Sequence, residues 1–239
     1  MRPAKRFYRT VALAPSAGAF GVLLDGRPLK TPEGNVLRVP TAALAAAIAN
    51  EWLGQGETLR MDDMPLTRLA ATAGERMVPR RAAVIDAIVA YGASDLLCYR
   101  AAEPQDLVLL QARVWQPLVD WAGERFAAPL RVGSGVLPID QPAASLEGLR
   151  RAVDAIGPIE LTALSCAVEA SGSLIIGLAL VERTIDADGA FAAATLDEQY
   201  QAGRWGVDAE AERRRRSIAA DLRAAASFLA LSSASAVAA

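Results

Sequence analysis

Apolar and polar positions alternate with strand-like periodicity as far as Val39 and then switch to helical spacing. Phe7 to Leu13 and Phe20 to Leu24 read as strands separated by Pro15-Ser16-Ala17-Gly18. Asp25-Gly26 supplies the positive-φ pair of a two-residue hairpin, and the chain returns through Arg27 to Thr31. Pro28 has no amide to donate, which places that arm at a sheet edge. Pro32-Glu33-Gly34-Asn35 turns the chain again before Val36 to Val39, so a small antiparallel β-meander is expected.

Thr41 stands as the N-cap of a helix whose Leu44, Ile48 and Trp52 recur at i, i+4, i+8, a narrow stripe suited to covering the sheet, and Gly54 and Gly56 end it. Beyond Met64 the spacing predicts helices over Pro65 to Met77, Pro79 to Tyr91, and a long one opened by Pro104 with a kink at Pro117. Asp95 to Arg100 is a short extended or connecting piece, and Arg131 to Leu137 a connecting loop or short extended segment. Further helices follow over Ser145 to Ile156, Ile159 to Ala170, Leu174 to Thr184, Ala187 to Ala202 and Asp208 to Leu229. In the last, Ile218, Leu222, Ala225 and Leu229 share a face, and Glu210/Arg214 and Glu212/Arg216 form i, i+4 pairs; the tail Ser232 to Ala236 is expected to fray. The class is α+β: a small meander with a covering helix in an N-terminal α/β domain, 1–60, then a larger all-α helical domain, 61–239.

Composition narrows the chemistry. The 239 residues contain no histidine and two cysteines, Cys98 and Cys166. Imidazole-dependent triads, HExxH zinc sites, four-thiolate metal sites and a stapled secreted scaffold are thereby excluded. Apolar residues make up 53% of the chain but aromatics only 5%, so alanine carries much of the hydrophobicity and favours closely packed helices. The formal net charge is −2, and apart from Lys5 and Lys30 every basic residue is arginine; nothing here would attract a nucleic-acid backbone. The N-terminus shows no signal or transit peptide, and Leu174 to Val181, the longest strongly apolar run, is too short to span a bilayer. A cytoplasmic bacterial protein without membrane insertion is expected.

Motif by motif, enzyme chemistry finds little support. Leu29-Lys30-Thr31 lacks the preceding glycine loop that cradles phosphate, and Gly133-Ser134-Gly135 lacks the third glycine of a dinucleotide turn. Asp62-Asp63, Asp186/Asp188 and Asp197-Glu198 are the densest acidic spots, but adjacent helical residues diverge around the axis, so no catalytic or metal-ligating set emerges. Arg213 to Arg216 reads as a solvated charge run rather than a phosphate grip, and Leu174 to Val181 as a buried helix rather than a client-binding surface. Trp115 and Trp121 fit a core stripe. Trp52 and Trp205 lie beside glycines near element ends, where interface packing and partner contact are both open.

In chain order these segments resemble one family: the assembly chaperones of the F-type ATP synthase, of mitochondria and alpha-proteobacteria, that bind the alpha subunit of the catalytic head. The matching pieces are Lys5-Arg6-Phe7-Tyr8, Leu24 to Pro32, Glu51-Trp52 with Gln55, Met64-Pro65-Leu66-Thr67, Asp95 to Arg100, and Gln111 with Trp115 and Pro117. They continue with Leu196-Asp197-Glu198, Tyr200-Gln201, Trp205-Gly206 and Asp208. The pattern departs at Leu53 and at Gly74-Glu75, and no contact role is carried onto those positions. The resemblance implies an α/β domain followed by a helical one, no catalysis, and a role for the acidic helix that maps to Glu198 and for the tryptophan that maps to Trp52. We expect no cofactor, a monomer, and a partner-binding set of Glu198, Asp197, Tyr200, Gln201, Trp205 and Trp52. Glu198 would offer a rim anion to a client cation, and Trp205 or Tyr200 an aromatic anchor. The competing readings are a carboxylate-dependent metal enzyme acting on phosphate or sugar substrates, and a subunit that stays in the mature complex.

Overall fold

The computed structural model describes residues 4–16, 18–135, 137–206 and 208–233. Ala17 of the first expected turn, Val136 of the Arg131 to Leu137 segment and residues 234–236 of the expected frayed tail lie outside that set. The α+β architecture expected from the sequence is what the chain forms: a small antiparallel sheet with a helix packed on it, then a longer helical region. Two compact units divide the chain, one made of Met1–Arg80 with Ser227–Ala239, the other of Arg81–Ala226. The sequence places its boundary at residue 60; the folded chain divides after Arg80 and returns its last segment to the first unit.

In the first unit, strands β1 (Val11–Ser16), β2 (Ala19–Leu24) and β3 (Arg27–Pro28) lie in that order in one antiparallel sheet. Asp25 and Gly26 take φ of 48° and 76° and close the β2–β3 hairpin at the Leu24–Arg27 pair, as their sequence demands. Pro28 does sit on an edge strand. The first strand begins later than its pattern suggests, with Pro15 opposite Phe20 and Ser16 opposite Ala19. The residues just before the expected start are paired elsewhere: Lys5 bridges Thr58, and the Arg6 amide donates to the Glu57 carbonyl at 2.8 Å. Val39 pairs with Phe20, completing the meander.

Helix α1 (Ala42–Leu53) packs on β1 and β2 and buries Leu44, Ala45, Ile48, Ala49 and Trp52. The Thr41 hydroxyl oxygen accepts from the Leu44 amide at 3.1 Å and donates to the Leu231 carbonyl at 2.6 Å. Helix α2 (Pro65–Glu75) starts on Pro65, which has no amide to satisfy. The next two amides, Leu66 and Thr67, donate to the Glu51 carboxylate at 2.7 and 2.8 Å, so a side chain of α1 caps α2.

The second unit holds α3 (Arg81–Ala93), α4 (Gln105–Phe126), α5 (Ala143–Asp154), α6 (Pro158–Ser171), α7 (Leu174–Val181), α8 (Ala187–Ala194), α9 (Leu196–Trp205) and most of α10 (Ala209–Ser232). Every residue of α7 from Leu174 to Leu180 is buried, and the helix packs on α3, α4, α6 and α8. Gly177 makes the α6 contact close: a Cβ there would lie 2.6 Å from a Val168 methyl. Helix α4 runs on through Pro117. The two segments expected to be short extended or connecting pieces contain β4 (Tyr99–Arg100) and β5 (Gly133–Ser134), which pair in parallel. The single helix expected over Ala187 to Ala202 is two, α8 and α9, interrupted at Thr195, whose backbone leaves helical geometry at φ −114°, ψ 14°. The Thr195 hydroxyl donates to the Phe191 carbonyl at 2.7 Å and accepts from the Gln199 side-chain Nε2 at 2.6 Å, stabilising the corner from within.

Candidate functional site

Five of the six expected partner-binding residues lie on α9, in the second unit. The helix carries Asp197 and Glu198 in its first turn and Arg204 in its last, the distribution its macrodipole favours. Three side chains fix it to α4. The Gln111 side chain, 1% exposed, donates to Asp197 Oδ1 at 2.8 Å and accepts from the Ala101 amide at the same distance. Asp106 accepts from the Tyr200 hydroxyl at 2.7 Å and from Arg204 at 2.6 Å, and the Arg204 guanidinium lies 4.8 Å from the Tyr200 ring centre. The Tyr200 hydrogen bond, first, and the Arg204 charge hold the Asp106 carboxyl below its usual range. Three residues before α9 begins, the Ala193 carbonyl accepts from the Trp115 indole N–H at 2.9 Å, which ties down the end of α8.

With α9 fixed on that side, its opposite flank opens on a groove of about 430 Å³ against the start of α10. Asp197, Glu198, Gln201 and Trp205 line it, facing Asp208, Ala211 and Arg214. Gly206, at φ 90° and ψ 170°, permits the sharp exit after Trp205, in a conformation open to glycine alone. The Asp208 carboxylate then accepts from the Glu210 and Ala211 amides and starts α10. Trp205 is left 82% exposed.

The electrostatics differ from expectation in one respect. Arg214 pairs with Glu198, across the groove, rather than with Glu210 one turn away. Glu198 is therefore no free rim anion. Its Oε1 is engaged by Arg214, while Oε2 is buried with no hydrogen-bond partner among the described residues. Arg216 pairs with Glu212 as expected, and the buried Arg215 joins it; these two hydrogen bonds lower the Glu212 carboxyl from its ordinary range. The run Arg213 to Arg216 thus holds three internally paired arginines, and the groove presents an apolar ring beside the paired Glu198, with the Asp197 and Asp208 carboxylates held by neutral donors.

Tyr200 does not line this groove; its hydroxyl is spent on Asp106. Trp52 belongs to the first unit and is 7% exposed, with its indole N–H donated to the Thr67 hydroxyl at 3.2 Å and its carbonyl accepting from the Tyr8 hydroxyl at 2.6 Å. Asp106, Arg204 and Arg214 were missed by sequence reasoning, because each partnership joins residues at least sixteen apart on separate helices or turns. Gln111 and Trp115 did carry a signal, as members of the ordered motifs. Among the described residues no three Asp, Glu, Cys or His side chains converge to hold a metal ion, and no helix is long and apolar enough to cross a membrane.

Residues 5–123 match the family model described as ATP12 chaperone protein. Over 214 residues the chain is 24% identical to "Protein atp12, mitochondrial" of Schizosaccharomyces pombe, covering 84% of this chain and 74% of that one. The crystal structure of Atp12 from Paracoccus denitrificans is 45% identical and superposes with a TM-score of 0.88, over 96% of this chain and 98% of the other. Atu1473 of Agrobacterium tumefaciens is 38% identical, with a TM-score of 0.88 over 95% and 85% of the two chains.

Proposed function

This chain belongs to the ATP12 chaperone family, and on that footing we propose that it serves F-type ATP synthase assembly by holding the unassembled alpha subunit of the catalytic head. A free alpha subunit exposes surface that beta neighbours cover in the finished head, and such surface aggregates. The chaperone occupies part of it, as a monomer without cofactor or catalytic step, in the bacterial cytoplasm, and yields it when beta arrives.

The observation that supports this best is the α9–α10 groove with Trp205 at its mouth. A large ring held in the open on a helix fixed by Asp106 and Gln111 is an anchor that needs little reorganisation to bind. The Glu198–Arg214 pair keeps those two side chains from offering a bare charge, and so favours releasable contact over tight ionic capture. Asp197 and Tyr200 act on the client through the placement of α9; Gln201 and Trp205 touch it.

The test is co-purification with isolated alpha subunit, and suppression of its aggregation without added ATP. Trp205→Ala should retain the native melting temperature and lose most of the holding. Trp52→Ala should instead lower stability by about 3–5 kcal/mol, the usual cost of emptying a buried tryptophan site. Full holding by a folded Trp205→Ala protein would remove the groove from the client interface.

A further inference from the structure

The first unit carries a second concave surface that the α9–α10 groove does not explain. A cleft of about 800 Å³ opens along the β3 edge, lined by Phe7, Tyr8, Arg27, Leu29, Lys30 and Trp52 among others. Its floor is apolar: Tyr8, Leu29 and Trp52 are all buried, while Phe7 stands at the rim 70% exposed. Its charge is net positive, two cations against the single carboxylate of Asp25. Arg27 and Lys30 are exposed and enter no ion pair among the described residues. Asp25, which also lines the cleft, has its carboxylate committed: it accepts from the Arg9 and Thr10 amides and from the Thr10 hydroxyl, at 2.8 to 3.1 Å. Two uncommitted cations thus border an apolar trough in a chain whose net charge is −2.

That combination selects among ligands. A free phosphate or nucleotide calls for convergent backbone N–H groups, and Pro28 has none to give at this edge. The same absence argues against recognition by strand addition along β3, leaving side chains to do the recognising. Carboxylates flanking an apolar side chain satisfy both the rim and the floor.

We propose that this cleft binds an extended acidic segment of the client, its carboxylates on Arg27 and Lys30 and an apolar side chain against Phe7 and Tyr8. The proposal rests on the chaperone reading for the identity of the client, but not for the chemistry of the cleft. Segment binding here is side-chain directed, weakens with ionic strength, and is independent of Trp205.

The probe is a fluorescein-labelled synthetic peptide alternating glutamate with leucine and phenylalanine, followed by anisotropy with the full chain. The wild-type protein should bind it, and should not bind the same peptide with lysine in place of glutamate. Arg27→Glu/Lys30→Glu should weaken binding about tenfold or more, as reversal at complementary interfaces does, with Arg27→Gln/Lys30→Gln intermediate and Trp205→Ala unchanged. Both sites are exposed, and circular dichroism checks that the variants fold. No binding by the wild type, equal binding of the lysine peptide, or full binding by the folded double variants overturns the proposal. Aggregation suppression of alpha subunit, measured in parallel, separates the two readings. Suppression without peptide binding leaves the chaperone function and removes the cleft; peptide binding through Arg27 and Lys30 without suppression does the reverse.

Discussion

Asp95 shows how much one residue can be asked to hold. It is wholly buried, and its carboxylate accepts from the Leu97 amide, the Ser173 hydroxyl and the Ile175 amide at 2.7 to 3.1 Å, joining the turn before β4 to the start of α7. Burial outweighs these donors and pushes its pKa up to about 6. The folded protein therefore keeps a proton between about pH 4 and 6 that the unfolded chain has released, and stability falls as pH rises through that window. Measured by urea denaturation at about pH 4 and about pH 6, wild type should lose about 2 kcal/mol relative to Asp95→Asn, whose side chain does not titrate. A constant difference between the two proteins would contradict it. The sequence marks Asp95 only as the first residue of a motif. Two of its three partners lie about eighty positions away, and no local pattern announces a buried carboxylate. Trp52 illustrates the opposite case: its place on the Leu44–Ile48 stripe already indicates a buried face, and the structure adds only the partners, Tyr8 and Thr67.

Elements were legible where local chemistry agrees with the tertiary setting. The Asp25-Gly26 turn, the Thr41 cap and the face of α10 through Ile218, Leu222, Ala225 and Leu229 each follow from a few neighbouring residues. The α8–α9 corner did not, because the alanine-rich residues around Thr195 include no glycine or proline to give a stop signal, and the break is set by Thr195 and the Trp115 bond to Ala193. The β4–β5 pairing was equally silent, since two residues per strand are too few to show a period. Caps across elements are the general form of this information. Glu51 supplies acceptors for α2 that nothing on α2 can replace, so Glu51→Ala should destabilise the protein by about 1–3 kcal/mol, with Glu51→Gln losing less. Thermal melts of the three proteins measure it. Equal melting temperatures would show that water serves these amides as well as the carboxylate does.

For the whole molecule, the ordered motifs made the family recognisable from sequence, whereas the surfaces had to be folded to be seen. Glu198 and Arg214 are remote enough that their pairing turns an expected bare anion into a neutral wall, and this changes the kind of contact the groove can make. The division of the chain was also hidden, because the first unit is assembled from both ends of the sequence. Removing residues 227–239 should therefore lower the melting temperature by more than loss of an exposed tail does, and should increase protease cleavage within the first eighty residues. A truncated protein that melts with wild type would refute this.

The bond from Thr41 to Leu231 closes a loop of 190 residues. On the ribosome, that leaves the first unit incomplete while the second is being made: its sheet and α1 emerge first, yet the carbonyl that receives the Thr41 hydroxyl follows 190 residues later. A member of a chaperone family must itself wait, with its first helix short of a partner, until the whole of its second unit has been made.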